Sequence, residues 1–210
     1  TVSDEGVHAL VGRLIWEGQT IYRDFTYSHP PLLAFFLGFS QQFTSSMLPP
    51  RLIYLFLNLS SAVPLFLLLR RLNGNAIAAL AAALFYVTYH QMVDHNFRFI
   101  ALRQIANVLL IWFVYIGTLP KQTPRTLTVQ ILLGIASSLV MFQSAANLAL
   151  VSLAMTVASP RKQWKRTLKR YCIVALAMAA ALAAFFLLFP GSIEATLLDH
   201  ASRPLVERLG

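Results

Sequence analysis

The chain has 210 residues, 57% of them hydrophobic and only 12% charged, and its mean hydropathy is +0.63. Soluble domains run at roughly 45–50% apolar and about 25% charged residues, so a water-soluble fold of this length has too little interior to hide the surplus. The formal charge of +9 does not indicate nucleic acid, because ten of the seventeen Lys and Arg residues fall in three short loops between apolar runs; that is a topology pattern that meets anionic lipid headgroups.

In chain order, Thr1 to Asp24 is polar and amphipathic, without the basic stub and apolar core of a signal peptide, so the chain reads as a piece that begins mid-protein. Asp4 to Glu17 sets Val7, Leu10, Val11, Leu14 and Ile15 on one stripe, with Ser3 ahead as a cap and Gly18 behind as a stop. This predicts a helix lying on the membrane surface. The aromatic stretch Tyr22-Arg23-Asp24-Phe25-Thr26-Tyr27 follows, and His29-Pro30-Pro31 then opens an apolar run over 32–43. Proline suits a helix's first turn, and the run is short for a crossing, which predicts an interfacial or re-entrant helix.

Membrane spans are expected over 52–69, 76–93, 105–119 and 171–189, with a long stretch at 127–159. That stretch exceeds one crossing of ~20 residues, and Phe142-Gln143-Ser144 breaks it near the middle, so it divides into two short spans. The tail over 191–210, with Ile193, Leu197, Leu198, Leu205 and Val206, reads as another surface helix. The expected architecture is therefore all-α: a polytopic membrane helical bundle with extracytoplasmic interfacial helices. Residues 1–50 form an extracytoplasmic loop with the surface and re-entrant helices, 51–190 a bundle of about six spans, and 191–210 an extracytoplasmic tail at which the chain is cut short.

Sidedness follows from the basic segments Arg70-Arg71, Lys121 to Arg125 and Arg161 to Arg170, which fall on one side under this count; the positive-inside rule makes that side cytoplasmic. The eight acids, Asp4, Glu5, Glu17, Asp24, Asp94, Glu194, Asp199 and Glu207, fall on the other, as do His8, His29, His90, His95 and His200. No disulfide can form within the chain, because Cys172 is its only cysteine.

Asp4 and Glu5 begin the surface helix, where the plain role of acids is to complement the helix dipole for ~0.3–1 kcal/mol. Arg98 and Arg103 flank an outer turn, where arginine anchors a span end in headgroups. His29 has no partner at metal-ligand spacing, so no metal is expected. Asn58 and Gln130 interrupt apolar runs and either pair between helices or line a cavity.

Taken together, Asp4-Glu5-Gly6, Tyr22-Arg23-Asp24-Phe25 and His29-Pro30-Pro31-Leu32 resemble the first extracytoplasmic loop of the protein O-mannosyltransferase and aminoarabinose transferase superfamily of GT-C-fold glycosyltransferases. The specific likeness covers about thirty residues; in hydropathy it extends over nearly the whole chain. The resemblance implies transfer, with inversion, of a sugar from a polyprenyl-phosphate donor to an acceptor hydroxyl on protein, lipid or glycan, at the outer face of a bacterial inner membrane and without a cofactor. It gives Asp4 the part of catalytic base and Glu5 that of its neighbour in acceptor binding. Tyr27, His29, Arg98, Arg103 and Gln143 would contact substrate, the arginines meeting the phosphate as charge develops on it. Two positions depart from the family: Gln104 follows Arg103 where an acid is usual, and Gln143 stands where a lysine is common. The rival expectation is a non-enzymatic transporter or flippase segment, in which ionisable groups gather near the midplane; here no acid falls in the middle of an apolar run.

Overall fold

The apolar runs fold as helices. The computed structural model describes residues 4–43, 46–93 and 102–195. Helices α1 (Asp4–Trp16) and α2 (Leu32–Gln41) come first, then α3 (Leu48–Ser60), α4 (Ala62–Asn73), α5 (Ala76–Val93), α6 (Leu102–Gly117), α7 (Pro124–Val140), α8 (Gln143–Val157) and α9 (Trp164–Leu188). Residues 191–195 are again helical. No strand occurs among the described residues, and one isolated bridge, Ile21 with Phe25, closes the loop between α1 and α2 on itself.

The first expected span starts earlier than hydropathy suggests. Helix α3 opens at Leu48 with proline in its first turn, where the missing N–H would have had no intrahelical partner. Ser61, between α3 and α4, keeps right-handed helical angles (φ −66, ψ −22), so Leu48–Leu72 is in effect one apolar helix of 25 residues. At 1.5 Å per residue it is about 38 Å long, enough for a ~30 Å hydrocarbon layer. Gly74, left-handed at φ 68, ends it.

Among the described residues Arg161–Leu188, 28 residues, is the second run long and apolar enough to cross a membrane, and five further apolar helices are shorter. The basic segment at its start is not the loop that charge alone suggested. After a 3₁₀ turn, Arg161–Gln163, the chain enters α9 at Trp164, so Lys165, Arg166, Lys169 and Arg170 lie in its first two turns. Lys and Arg are good helix formers, and nothing in the segment interrupts the ladder. The division within 127–159 appears as a true helix break, where Met141 is extended (φ −152, ψ 118) between α7 and α8.

Helices α6, α7, α8 and α9 share a core of Phe113, Leu148, Tyr171, Val174 and Met178. A Cβ on Gly134 would stand 2.8 Å from Met178 Sδ, so glycine admits the close approach of α7 and α9. Side-chain hydrogen bonds cross between helices inside the bundle: Ser137 Oγ donates to Ala106 O at 3.3 Å, and Arg170 Nε donates to Gln130 Oε1 at 2.7 Å. Such bonds join helices at buried positions, where an unpaired polar group is costly. Many large apolar side chains face outward instead, with Ile77 and Leu187 each 82% exposed. An apolar exterior of this extent marks a lipid or partner surface.

The two ends of the bundle differ in chemistry. At one, Arg71 reaches from α4 to Thr118 O (3.4 Å) and lies over the Tyr115 ring (5.4 Å), while the turn after α6 adjoins the start of α9. At the other, Leu102 and Ile105 of α6 pack against Leu33, Leu37 and Tyr54. There Phe142 meets Phe185 and Phe186, and Tyr22 meets Phe185 and Phe189.

Candidate functional site

The site expected from sequence is built on α1, α2 and the loop between them. The two helices touch through glycine: a Cβ on Gly12 would clash with Ala34 O and lie 2.6 Å from Gly38 N, both backbone atoms. Trp16 packs beside Phe39 (6.2 Å between centroids), and Ala9 packs on the Leu33 and Leu37 cluster. These contacts advance in the same order along both helices, so α1 and α2 run side by side in one direction.

The connecting loop makes that return possible. Gly18, at φ +92, turns the chain out of α1. Thr20 N–H donates to Asp24 Oδ2 at 2.7 Å, and Arg23 Nε donates to Asp24 Oδ1 at 3.2 Å. The Thr20 amide, assisted by the Arg23 charge, holds the Asp24 carboxyl below its usual range despite some desolvation. Tyr22 sits at φ 67, rare for a non-glycine residue, and its hydroxyl donates to His29 O at 2.6 Å. That bond ties the loop to the His-Pro-Pro turn that opens α2.

Beneath the loop lies a cluster of three aromatic rings. Tyr27 is 3% exposed, and its hydroxyl shares a 2.7 Å hydrogen bond with Nδ1 of His8, also buried. His29 stands edge-on to both, with centroids 5.5 Å from His8 and 5.7 Å from Tyr27. Burial pushes the Tyr22 and Tyr27 phenols well above the usual tyrosine range.

Asp4 and Glu5 are the first residues of α1 and are described by their backbone; Asp4 precedes His8 by one helical turn. Tyr27 and His29 are in mutual contact. Arg103 is exposed in the first turn of α6, beside Leu102, which packs on the α2 cluster. Gln143 is exposed at the start of α8, next to Phe142 of the aromatic group that also holds Tyr22 through Phe185. Arg98, His95 and the outer turn around them lie outside the described residues. No three His, Cys, Asp or Glu side chains gather as metal ligands among the described residues.

His8 was missed as a site residue by sequence reasoning. The available signal was its place within the apolar stripe of α1, between Val7 and Val11, where a buried imidazole requires a partner. No protein-family model, curated protein or solved structure matches the chain. Among the described residues the fold is all-helical, with two helices long and apolar enough to cross a membrane.

Proposed function

We propose that the chain is the multi-span part of a GT-C-type glycosyltransferase that moves a sugar from a polyprenyl-phosphate donor to an acceptor hydroxyl at the extracytoplasmic face of a bacterial inner membrane. The observation that carries this reading is a convergence at one end of the bundle. The acid-led helix α1, the His-Pro-Pro turn, the Arg103 end of α6 and the Gln143 end of α8 meet there, while the described basic segments occupy the opposite end.

In this reading α1 lies in the interface, and Asp4 accepts the acceptor's proton as the oxygen attacks the anomeric carbon. The bond from that carbon to the phosphate oxygen breaks with inversion, and the departing phosphate keeps the electron pair. Arg103 and Arg98 meet the charge that develops on it. The buried Tyr27–His8 pair and the Tyr22 bond to His29 O hold the loop's shape, which leaves polar groups on the outer surface to contact donor and acceptor. Six crossings, with 127–159 forming two, return both ends of the chain to this side.

Transfer from a polyprenyl-phosphate sugar, measured in detergent with the full-length protein, tests the proposal. Asp4→Asn should reduce turnover by roughly 10²–10⁴, the usual contribution of general-base help, with expression and membrane insertion maintained. Full turnover in Asp4→Asn would remove the chemical basis of the assignment.

A further inference from the structure

The basic end of the bundle carries a feature that the proposed transfer does not use. The α6–α7 turn, the α8–α9 turn and the first turns of α9 enclose a groove of about 840 Å³. Arg166, Lys169 and Arg170 line it, and no Asp or Glu among the described residues does. Arg170 is fixed through one nitrogen, Nε, which donates to Gln130 Oε1 at 2.7 Å. Its Nη1 and Nη2 are shielded from water and have no acceptor among the described residues. A guanidinium offers five N–H donors in a planar fork, and a buried cationic donor left unpaired is costly.

Two further circumstances favour an anion here. The three cations belong to the first turns of α9, where the helix's own dipole is already positive. The remaining walls include Leu119, Leu127, Met155 and Ile173, so the charged end of the groove continues into an apolar one. Ile173 is 38% exposed, which opens that apolar side to the helix surroundings.

We propose that this groove binds a phosphate group, with the Arg170 fork as its bidentate partner, Arg166 and Lys169 as flanking charges, and room on the apolar wall for acyl chains. With Nε held by Gln130, the Nη1–Nη2 edge of the same planar group is the part of the fork left for a phosphate. The geometry matches a planar fork to two phosphate oxygens, which an ammonium cannot reproduce.

The test uses the full-length protein in neutral detergent, titrated separately with phosphatidic acid, diacylglycerol and inorganic phosphate. Binding is read by native mass spectrometry and by the shift in thermal unfolding. Phosphatidic acid should bind saturably and diacylglycerol should not; Arg170→Lys should weaken the phosphate ligand roughly tenfold, because charge remains but the fork is lost. Arg125→Gln, a basic residue outside the groove at the same end, should leave binding unchanged. Equal strength for inorganic phosphate would assign the site to free phosphate, and its failure would assign the site to a lipid headgroup; both support a phosphate site. Should circular dichroism show that Arg170→Lys does not fold, the double variant Arg166→Gln/Lys169→Gln decides, with the same tenfold loss expected. Binding of diacylglycerol equal to phosphatidic acid, undiminished binding in the groove variants, or an equal loss in Arg125→Gln would overturn the proposal.

Discussion

Tyr27 and His8 show how one buried hydrogen bond fixes a loop. The bond spans nineteen positions of sequence, from the second turn of α1 to the residues before His29, and both side chains are buried. Tyr27→Phe keeps the ring contacts and deletes the hydroxyl, so it should lower stability by about 1 kcal/mol, seen as a reduced Tm of the detergent-solubilised protein. An unchanged Tm would mean that the bond contributes nothing net. The same residue sets an alkaline limit. The folded-state phenol is raised by burial, so its stabilisation is complete below the unfolded tyrosine range near ~10 and is lost as pH rises toward the folded value. Unfolding should therefore become easier above about pH 10, less steeply in Tyr27→Phe.

At the level of elements, the contact between α1 and α2 depends on two glycines, Gly12 facing only the backbone of Ala34 and Gly38, and Gly38 facing the Trp16 ring and the backbone of Gly12. Gly12→Ala should force the helices apart and cost roughly 1–3 kcal/mol, as overpacking does, with faster proteolysis of the loop after Gly18 as the readout. If the loop is cut no faster than in wild type, the helices are not locked by that contact. Much of this layer was legible from sequence. Ala76–Val93 stands at the bounds read from hydropathy, α1 and α2 occupy the amphipathic and short apolar runs, and the break near Phe142 follows from the polar interruption there. The basic start of α9 was misread because charge was treated as a loop signal, although Lys and Arg lengthen helices readily. The pairings Gly12 with Gly38, His8 with Tyr27 and Gln130 with Arg170 were not legible, since each depends on how separate helices approach and leaves no periodic trace.

For the whole molecule, the separation of chemistry between the two ends makes sidedness testable. With Cys172→Ser as background, single cysteines at Lys162 and at Gln19 are compared for labelling by a membrane-impermeant reagent in intact cells. The proposed topology expects labelling at Gln19 and none at Lys162 until the membrane is opened, because basic segments are retained on the cytoplasmic side. Labelling at Lys162 in intact cells would reverse the assignment. The candidate site was legible at this scale only as a list of residues bound for one face; that Arg103 and Gln143 approach the α1–α2 pair through Leu102 and through the Phe142–Phe185–Tyr22 contacts required the fold.

The contact between Tyr22 and the end of α9 also governs timing. Tyr22 meets Phe185 and Phe189, and Gly191 is placed so that a Cβ would come within 2.5 Å of Tyr22 O. The loop is among the earliest parts of this sequence to leave the ribosome, yet the surface on which it rests is among the latest of the described residues. At 5–20 residues per second, translation delivers that surface on the order of ten seconds after the loop. Through that interval Tyr22 lacks Phe185 and Phe189, so the loop gains its final support only once the end of the ninth helix has been made.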